Sequence, residues 1–396
     1  MARSKRTNRA NRLLWNMLRV TVGKGVLLFT GVKIKNRRLL NGTPAPFIVL
    51  GNHVNNWDPV VLGALSRRPV SFVASDAFFR GGVMEKLFNL LGVIPKTKFR
   101  SDLDTVKRIF QIRDQGGIIG IYPEGRRTYN GATMPVLEST AKLIKTVKIP
   151  VIISLTRGGY LYAPRWGRGR RKGPKVVEIR EGISRDEIKT LPAEALALRL
   201  QELLFNDDYA NQLSEPRRYR SGRSAEYLEQ ILTLCPGCGA VGKMRSRRNH
   251  LTCESCGRET VLNDRGFFQE PLVFRELRHP GEWDRWQTEE YRKRYEALRD
   301  GEVLFRDFDT TLLRFDGKKF HPVFKGTAEL RSGAFFLDIH EGEPLVFPFE
   351  TIDGANIQSS GDFEFYSGDD LFRLVFPTPR VSAYKWLTIL RIAGKL

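Results

Sequence analysis

Pro46-Phe47-Ile48-Val49-Leu50-Gly51-Asn52-His53-Val54-Asn55-Asn56-Trp57-Asp58-Pro59 is the stretch on which the reading of this chain turns. Residues 47–50 form an uninterrupted apolar, β-prone run between proline and glycine, the pattern of a buried strand. Asp58-Pro59 then opens the apolar run 60–65. An acidic N-cap followed by proline at the first helical position is a common helix start. His53 therefore sits just past a strand end and Asp58 at a helix start, on the two sides of one short connection. A histidine and a carboxylate so placed can meet, the carboxylate fixing the imidazole tautomer of a general base and stabilising its imidazolium. Taken alone, the pair also reads as a helix cap beside an incidental surface histidine, so the surrounding chain has to decide.

Outward from this stretch, apolar runs at 70–73, 93–95, 118–122, 151–155 and 176–180 alternate with helical patterns at 59–66, 82–91, 102–114 and 137–146. The alternation predicts an α/β layered domain with a largely parallel sheet and a site at the carboxyl ends of its strands. The strand at 118–122 runs into Pro123-Glu124-Gly125-Arg126-Arg127-Thr128. Glycine there lets the backbone approach a ligand, and arginine suits bidentate recognition of phosphate. The same string would also serve as a strand-ending turn with exposed charges. Lys96, Lys98 and Arg100 follow the strand at 93–95, and Ile149-Pro150-Val151-Ile152 leads into a strand ending at Arg157.

A chain of 396 residues has room for two or three domains. Its net charge of +21 is unevenly placed. Residues 1–222 hold 40 Lys and Arg against 17 Asp and Glu, whereas residues 223–396 hold 25 against 27. The half that contains His53 thus calls for an anionic partner: nucleic acid, a phosphorylated substrate or an acidic membrane surface. A basic surface serving solubility is the plainer alternative. All four cysteines lie between 235 and 256, leaving none for scattered disulfides, which predicts an intracellular protein with one metal-bound knot. Arg19, Lys24, Lys33 and Lys35 interrupt the apolar N-terminal region, so neither a secretory signal nor a transmembrane helix is expected. Behind a basic tail, Leu14, Met17, Leu18, Val22, Val26 and Phe29 recur at steps of three and four. They predict an amphipathic helix that lies in a membrane surface, with Trp15 at the interface level, or packs on the following domain, or does both with different sides.

At this point the residues resemble a known family, the bacterial type of glycerolipid (1-acylglycerol-3-phosphate) acyltransferases, over roughly residues 10–210. Asn52, His53 and Asp58 match its Asn-His-x4-Asp motif. Pro123, Glu124, Gly125, Arg127 and Thr128 match its Pro-Glu-Gly-x-Arg-Ser/Thr motif, with Arg126 at a position that is commonly small or hydroxylated. Gly92 to Lys98 has the spacing of the Gly-x5-Arg motif but ends in lysine, which keeps the charge and loses the fork; Arg100 stands two residues on. The apolar segment around Pro150 is similar to the fourth motif. The resemblance implies that an alcohol acceptor attacks an acyl thioester carried by coenzyme A or acyl carrier protein. His53 would take the hydroxyl proton and Asp58 would orient the ring. Asn52, Lys98, Arg100, Glu124, Gly125, Arg126, Arg127 and Thr128 would bind substrate, Arg127 and Lys98 at a phosphate. Phe78, Phe79, Met84, Leu87 and Phe88 are candidates for an acyl slot. The basic loop 165–172 would touch lipid headgroups or coenzyme A phosphates, or stay solvated.

In the second half, Cys235-Pro-Gly-Cys238 is answered by Cys253-Glu-Ser-Cys256. Two Cys-x2-Cys pairs at this separation predict a zinc ribbon with a closed, structural site. Arg245, Arg247 and Arg248 on the intervening strand leave nucleic-acid binding open as a reading. Residues 277–299 read as a polar helix. Short strands at 311–315, 327–330, 334–339, 345–348, 363–366 and 371–375 follow, with a final helix within 380–393. That pattern is similar to a pleckstrin-homology-like or GRAM-like barrel.

The expected organisation is thus a basic tail and membrane helix (1–30), an α/β acyltransferase domain (31–213), a linker (214–228), a zinc ribbon (229–264) and a β-rich pleckstrin-homology-like domain (265–396). The expected function is acylation of a lysophospholipid, first 1-acylglycerol 3-phosphate, by a protein held peripherally at the cytoplasmic side of an anionic membrane. Acyl carrier protein is a possible partner, and no nucleic acid is expected. The alternatives are another hydroxylated acceptor, such as glycerol 3-phosphate, and a zinc-ribbon nucleic-acid-binding protein. The latter leaves His53, Asp58 and the 124–128 string unexplained.

Overall fold

A computed structural model describes residues 10–79, 83–96, 103–269, 274, 276–338, 343–358 and 361–395. The chain forms two compact units. The first comprises residues 1–165 and 169–220, the second 166–168 and 221–396.

In the first unit a helical segment comes first: α1 (Arg12–Leu18), a π turn (Arg19–Gly23) and α2 (Lys24–Thr30). Then follow β1 (Lys33–Lys35), α3 (Arg37–Gly42), β2 (Phe47–Gly51), α4 (Asp58–Leu65), β3 (Val70–Ser75), α5 (Val83–Leu90), β4 (Ile94–Lys96), α6 (Leu103–Asp114) and β5 (Ile118–Ile121). The remainder is α7 (Glu138–Val147), β6 (Val151–Arg157), α8 (Gly159–Tyr162), β7 (Val176–Ile183), α9 (Arg185–Thr190), α10 (Ala193–Leu204) and α11 (Asp208–Ser214). The sheet order is β1-β7-β6-β2-β5-β3-β4. β2, β3, β4, β5 and β6 run parallel, while β7 is antiparallel to β6 and parallel to β1.

β2 is buried along its whole length because both faces of the sheet are covered. Its side chains alternate between two cores. Ile48 and Leu50 join Ile109, Ile112, Ala141, Ile144 and Leu200 on one face, under α6, α7 and α10. Phe47 and Val49 join Trp15, Leu62, Leu65 and Phe72 on the other, under α1 and α4. The N-terminal helix packs closely here: a Cβ on Gly23 would lie 2.9 Å from the Ala64 Cβ. Trp15 is buried, with its indole N–H on the Ser66 carbonyl at 3.5 Å, and does not occupy the interface position expected of it. The helical segment still shows an apolar row to the outside, since Leu13, Met17, Val20, Val22, Leu28 and Phe29 are exposed. No helix among the described residues is long and apolar enough to cross a membrane.

The second unit opens with a small antiparallel sheet, β8 (Met244–Arg247), β9 (His250–Cys253) and β10 (Glu259–Val261), in the order β10-β9-β8. α12 (Pro280–Glu296) is polar on average but buries Trp283, Asp284, Gln287 and Tyr291. Trp283 donates its indole N–H to the Leu234 carbonyl at 2.9 Å, and Gln287 Oε1 accepts the Thr233 amide at 3.0 Å. The helix thereby grips the segment leading into Cys235.

A seven-stranded antiparallel sheet follows: β11 (Val303–Phe315), β12 (Phe320–Arg331), β13 (Ala334–Asp338), β14 (Leu345–Pro348), β15 (Ile352–Ile357), β16 (Phe363–Ser367) and β17 (Asp370–Val375). Its order is β14-β13-β12-β11-β17-β16-β15. β15 was not among the expected strands, because Asp353, Gly354 and Asn356 break the apolar pattern of Ile-Asp-Gly-Ala-Asn-Ile. Its pairing with β16 supplies the order that local propensity lacks. α13 (Tyr384–Ile392) closes the sheet, packing Trp386 edge-on against Phe305 and Phe335 at 5.1 and 5.2 Å. Asp307 accepts from both Lys385 Nζ at 2.6 Å and the Trp386 indole at 2.8 Å.

Candidate active site

His53 leaves the end of β2 in a loop whose backbone is tied on both sides. Its amide donates to Glu124 Oε1 at 2.5 Å, and its carbonyl accepts the Thr128 amide at 2.9 Å. The turn after β5 thus grips the histidine. Asp58 completes the arrangement, though not as the expected N-cap. It is the first residue of α4, and its carboxylate bonds backward instead of forward along the helix. Oδ2 accepts the amides of Val54 and Asn55 at 2.8 and 2.9 Å and meets His53 Nδ1 at 2.9 Å. With Nδ1–H donating to a carboxylate, Nε2 of the neutral ring carries its lone pair outward. Nε2 makes no hydrogen bond among the described residues.

The ring is half-buried and lies 4.6 Å from the ring of Tyr122. Gly51 allows this approach, since a Cβ there would fall 2.7 Å from Tyr122 Cε1. Burial lowers the His53 pKa below the ordinary histidine value; Asp58 opposes this, and Arg127 and Arg165 add to it. The imidazole is therefore neutral near pH 7, the form a general base requires.

The residues expected to bind substrate divide into two groups. Asn52 is 2 % exposed, and its amide bonds the backbone of Thr156 twice, donating at 2.9 Å and accepting at 2.7 Å. Glu124 uses both oxygens on backbone amides, those of His53 and of Met134 at 2.7 Å. Thr128 donates to the Ala132 carbonyl at 2.5 Å and accepts the Gly131 amide. Gly125 has φ +66° in the turn, and Arg126 is buried. The side chains of Asn52, Glu124 and Thr128 are thus bonded to backbone groups around His53. Burial pushes the Glu124 carboxyl up to about 8, against the pull of its two amide bonds.

Arg127 belongs to the second group. It remains partly exposed, its pKa lowered to about 10 by burial and by Arg165. Arg165 donates to the Arg127 carbonyl at 3.2 Å and stacks on the ring of Tyr129 at 4.1 Å. The site thus holds two guanidinium groups. Lys98 and Arg100 lie outside the described residues. Phe78 and Phe79 each approach Phe88 at 5.8 Å, and Phe78 and Met84 are exposed.

Tyr122, whose ring lies against His53, was not anticipated.

Residues 32–154 match the family model described as Acyltransferase. The first unit therefore carries an acyltransferase-like domain. Among solved structures, the 1-acyl-sn-glycerophosphate (LPA) acyltransferase PlsC from Thermotoga maritima is 13% identical, with a TM-score of 0.43 over 52% of this chain and 81% of that one. A chain of the 8S snRNP assembly intermediate is 10% identical, with a TM-score of 0.20 over 25% of this chain and 87% of that one. Likenesses of this strength add nothing further about the chain. No curated protein matches it.

In the second unit the four cysteine ligand atoms lie within 4.8 Å of one another. The Cys235–Cys256 and Cys238–Cys253 sulfur separations are 3.8 and 3.7 Å. Four sulfurs around one zinc at bonds of about 2.3 Å stand about 3.8 Å apart, so the donor set fits a tetrahedral metal. The amides of Gly237 and Cys238 point at the Cys235 sulfur, and those of Ser255 and Cys256 at Cys253. Gly239 and Gly257 close the two turns at φ +75° and +72°. Such amide–sulfur bonds support thiolate ligands.

Proposed function

We propose that the first unit is an acyltransferase that moves a fatty acyl group from a thioester donor to the free hydroxyl of a lysophospholipid, foremost 1-acylglycerol 3-phosphate. The observation that carries this reading is the His53 Nδ1 contact with an Asp58 carboxylate anchored by two amides, with Nε2 making no hydrogen bond among the described residues and the charges of Arg127 and Arg165 acting on the ring. Nε2 takes the acceptor hydroxyl proton as its oxygen attacks the thioester carbonyl. Asp58 stabilises the imidazolium. The tetrahedral intermediate collapses with cleavage of the C–S bond, and the imidazolium returns the proton to the leaving thiolate. The products are phosphatidate and a free thiol. No serine nucleophile is needed, because the thioester is already activated. Arg127 and Arg165 are suited to the acceptor phosphate, and the Phe78–Phe79–Phe88 cluster with Met84 to the acyl chain.

The exposed apolar row on α1 and α2 and the basic excess of residues 1–222 suit a peripheral position on an anionic membrane. Zinc at Cys235, Cys238, Cys253 and Cys256 would be structural, since four thiolates leave no open position. The sheet order of the second unit and its closing helix support a pleckstrin-homology-like reading.

The deciding experiment is turnover of purified protein with lysophosphatidate or glycerol 3-phosphate, each with acyl-coenzyme A and acyl carrier protein donors, beside His53→Ala. Product from wild type and none from a folded His53→Ala variant supports the reading. Failure of every combination, or normal turnover by the variant, rejects it.

A further inference from the structure

Lys175 immediately precedes β7, which pairs antiparallel with β6 through Arg157 and Val176. The start of β7 therefore lies at the sheet edge where β2 delivers His53, two strands away in the order β7-β6-β2. On a strand, residues two apart share a face. Val177 and Ile179 belong to the core under α4, the helix that begins with Asp58, so Lys175 extends that face to its functional edge. The residue is only 3% exposed, with Nζ 4.3 Å from the centroid of the Tyr162 ring. The ammonium makes no hydrogen bond or ion pair among the described residues.

A second cation stands nearby. Arg170 Nη1 donates to the Phe29 carbonyl at 3.0 Å and to the Tyr162 hydroxyl at 3.4 Å. Burial lowers the Lys175 pKa to about 8; Asp58 opposes this and Arg170 adds to it. The one carboxylate that acts on this ammonium, Asp58, is already bonded to His53 and to two backbone amides, and an anion from outside would compensate the largely desolvated charge more fully. Arginines 127 and 165 already raise the positive potential around His53.

The geometry points to Lys175 as a residue that binds the acceptor, holding its phosphate monoester beside the His53–Asp58 pair. This inference rests on the acyltransferase reading. A charge-assisted hydrogen bond to phosphate predicts that Lys175→Met raises the KM for lysophosphatidate roughly ten- to a hundredfold while the donor KM stays within about twofold. Lys175→Arg, which keeps the charge, falls between Lys175→Met and wild type. Calorimetric titration with inorganic phosphate and with short-chain lysophosphatidate reports binding without turnover, and should weaken in the same order. Monoacylglycerol, which has the hydroxyl but no phosphate, should lose little. Circular dichroism checks the fold, and Lys175→Gln takes the place of the methionine variant should that one not fold. The inference is overturned by unchanged lysophosphatidate affinity in a folded Lys175→Met or Lys175→Gln, or by equal losses for acceptor and donor, or for monoacylglycerol and lysophosphatidate. If wild type acylates no acceptor, the acyltransferase reading fails by itself, and the titrations still decide whether Lys175 holds phosphate.

Discussion

At the residue scale, the site depends on where one proton resides. Desolvation and two arginines favour neutral His53, and Asp58 limits their effect. The acid limb of the kcat/KM profile should therefore fall below the ordinary histidine pKa of about 6.5, since activity persists down to the pH at which the ring protonates. An acid limb above that value would contradict a general base in this environment. Asp58→Asn keeps the size but offers the ring a side chain that can donate, releasing the tautomer. It should lower kcat by roughly a thousandfold or more, measured at saturating acceptor with the fold checked by circular dichroism. Gly51→Ala makes a steric test of the same centre. The added methyl meets Tyr122 at 2.7 Å and must displace the ring that lies against His53, so activity should fall with little change in donor KM.

At the scale of elements, Glu124 joins three pieces: the end of β2, the turn after β5 and the segment at Met134. Its carboxyl titrates at about 8 in the fold against an ordinary 4.5. The folded state thus binds the proton more tightly than the unfolded chain. The corresponding stability is fully present below about pH 4.5 and is lost as pH rises through 8. Glu124→Gln does not titrate, so the Tm difference between wild type and variant should move in the variant's favour from pH 5 to 9 in thermal melts. A difference independent of pH would show that Glu124 is ionised throughout. Gln also places an amide donor against one of the two backbone N–H groups. That should slow turnover by misplacing the His53 loop even where the melt is unaffected.

At the scale of the whole molecule, the two units make separable predictions. Purified protein should contain one zinc per chain, and strong chelation should lower the melting transition of the second unit, because α12 grips the segment directly before Cys235. Elemental analysis and calorimetry check both. The first unit's charge excess predicts binding to vesicles containing phosphatidylglycerol that weakens steeply with added salt, and little binding to neutral vesicles. Salt-independent binding would instead assign the attachment to the exposed apolar row alone.

Much of this was legible from residue order. The apolar run at 47–50 and the alternation around it determined a covered sheet, because only a strand buried on both faces tolerates such a run. The spacing of His53, Asp58, Glu124 and Arg127 marked residues that come together at one end of the sheet, and the paired Cys-x2-Cys steps marked four ligand atoms that could hold a metal. Contacts between distant segments were not legible. Local sequence could not tell that the side chains of Asn52 and Glu124 would bond backbone groups 104 and 71 residues away. It could not place β15, whose order comes from its neighbour, or tell that Trp15 turns inward. Nor could it tell that the pairing of β6 with β7 brings the buried Lys175 to the end of the sheet where β2 delivers His53. Periodicity and spacing along one segment are local properties of the sequence. Which polar groups satisfy one another, and which remain open for a ligand, is decided when the strands assemble.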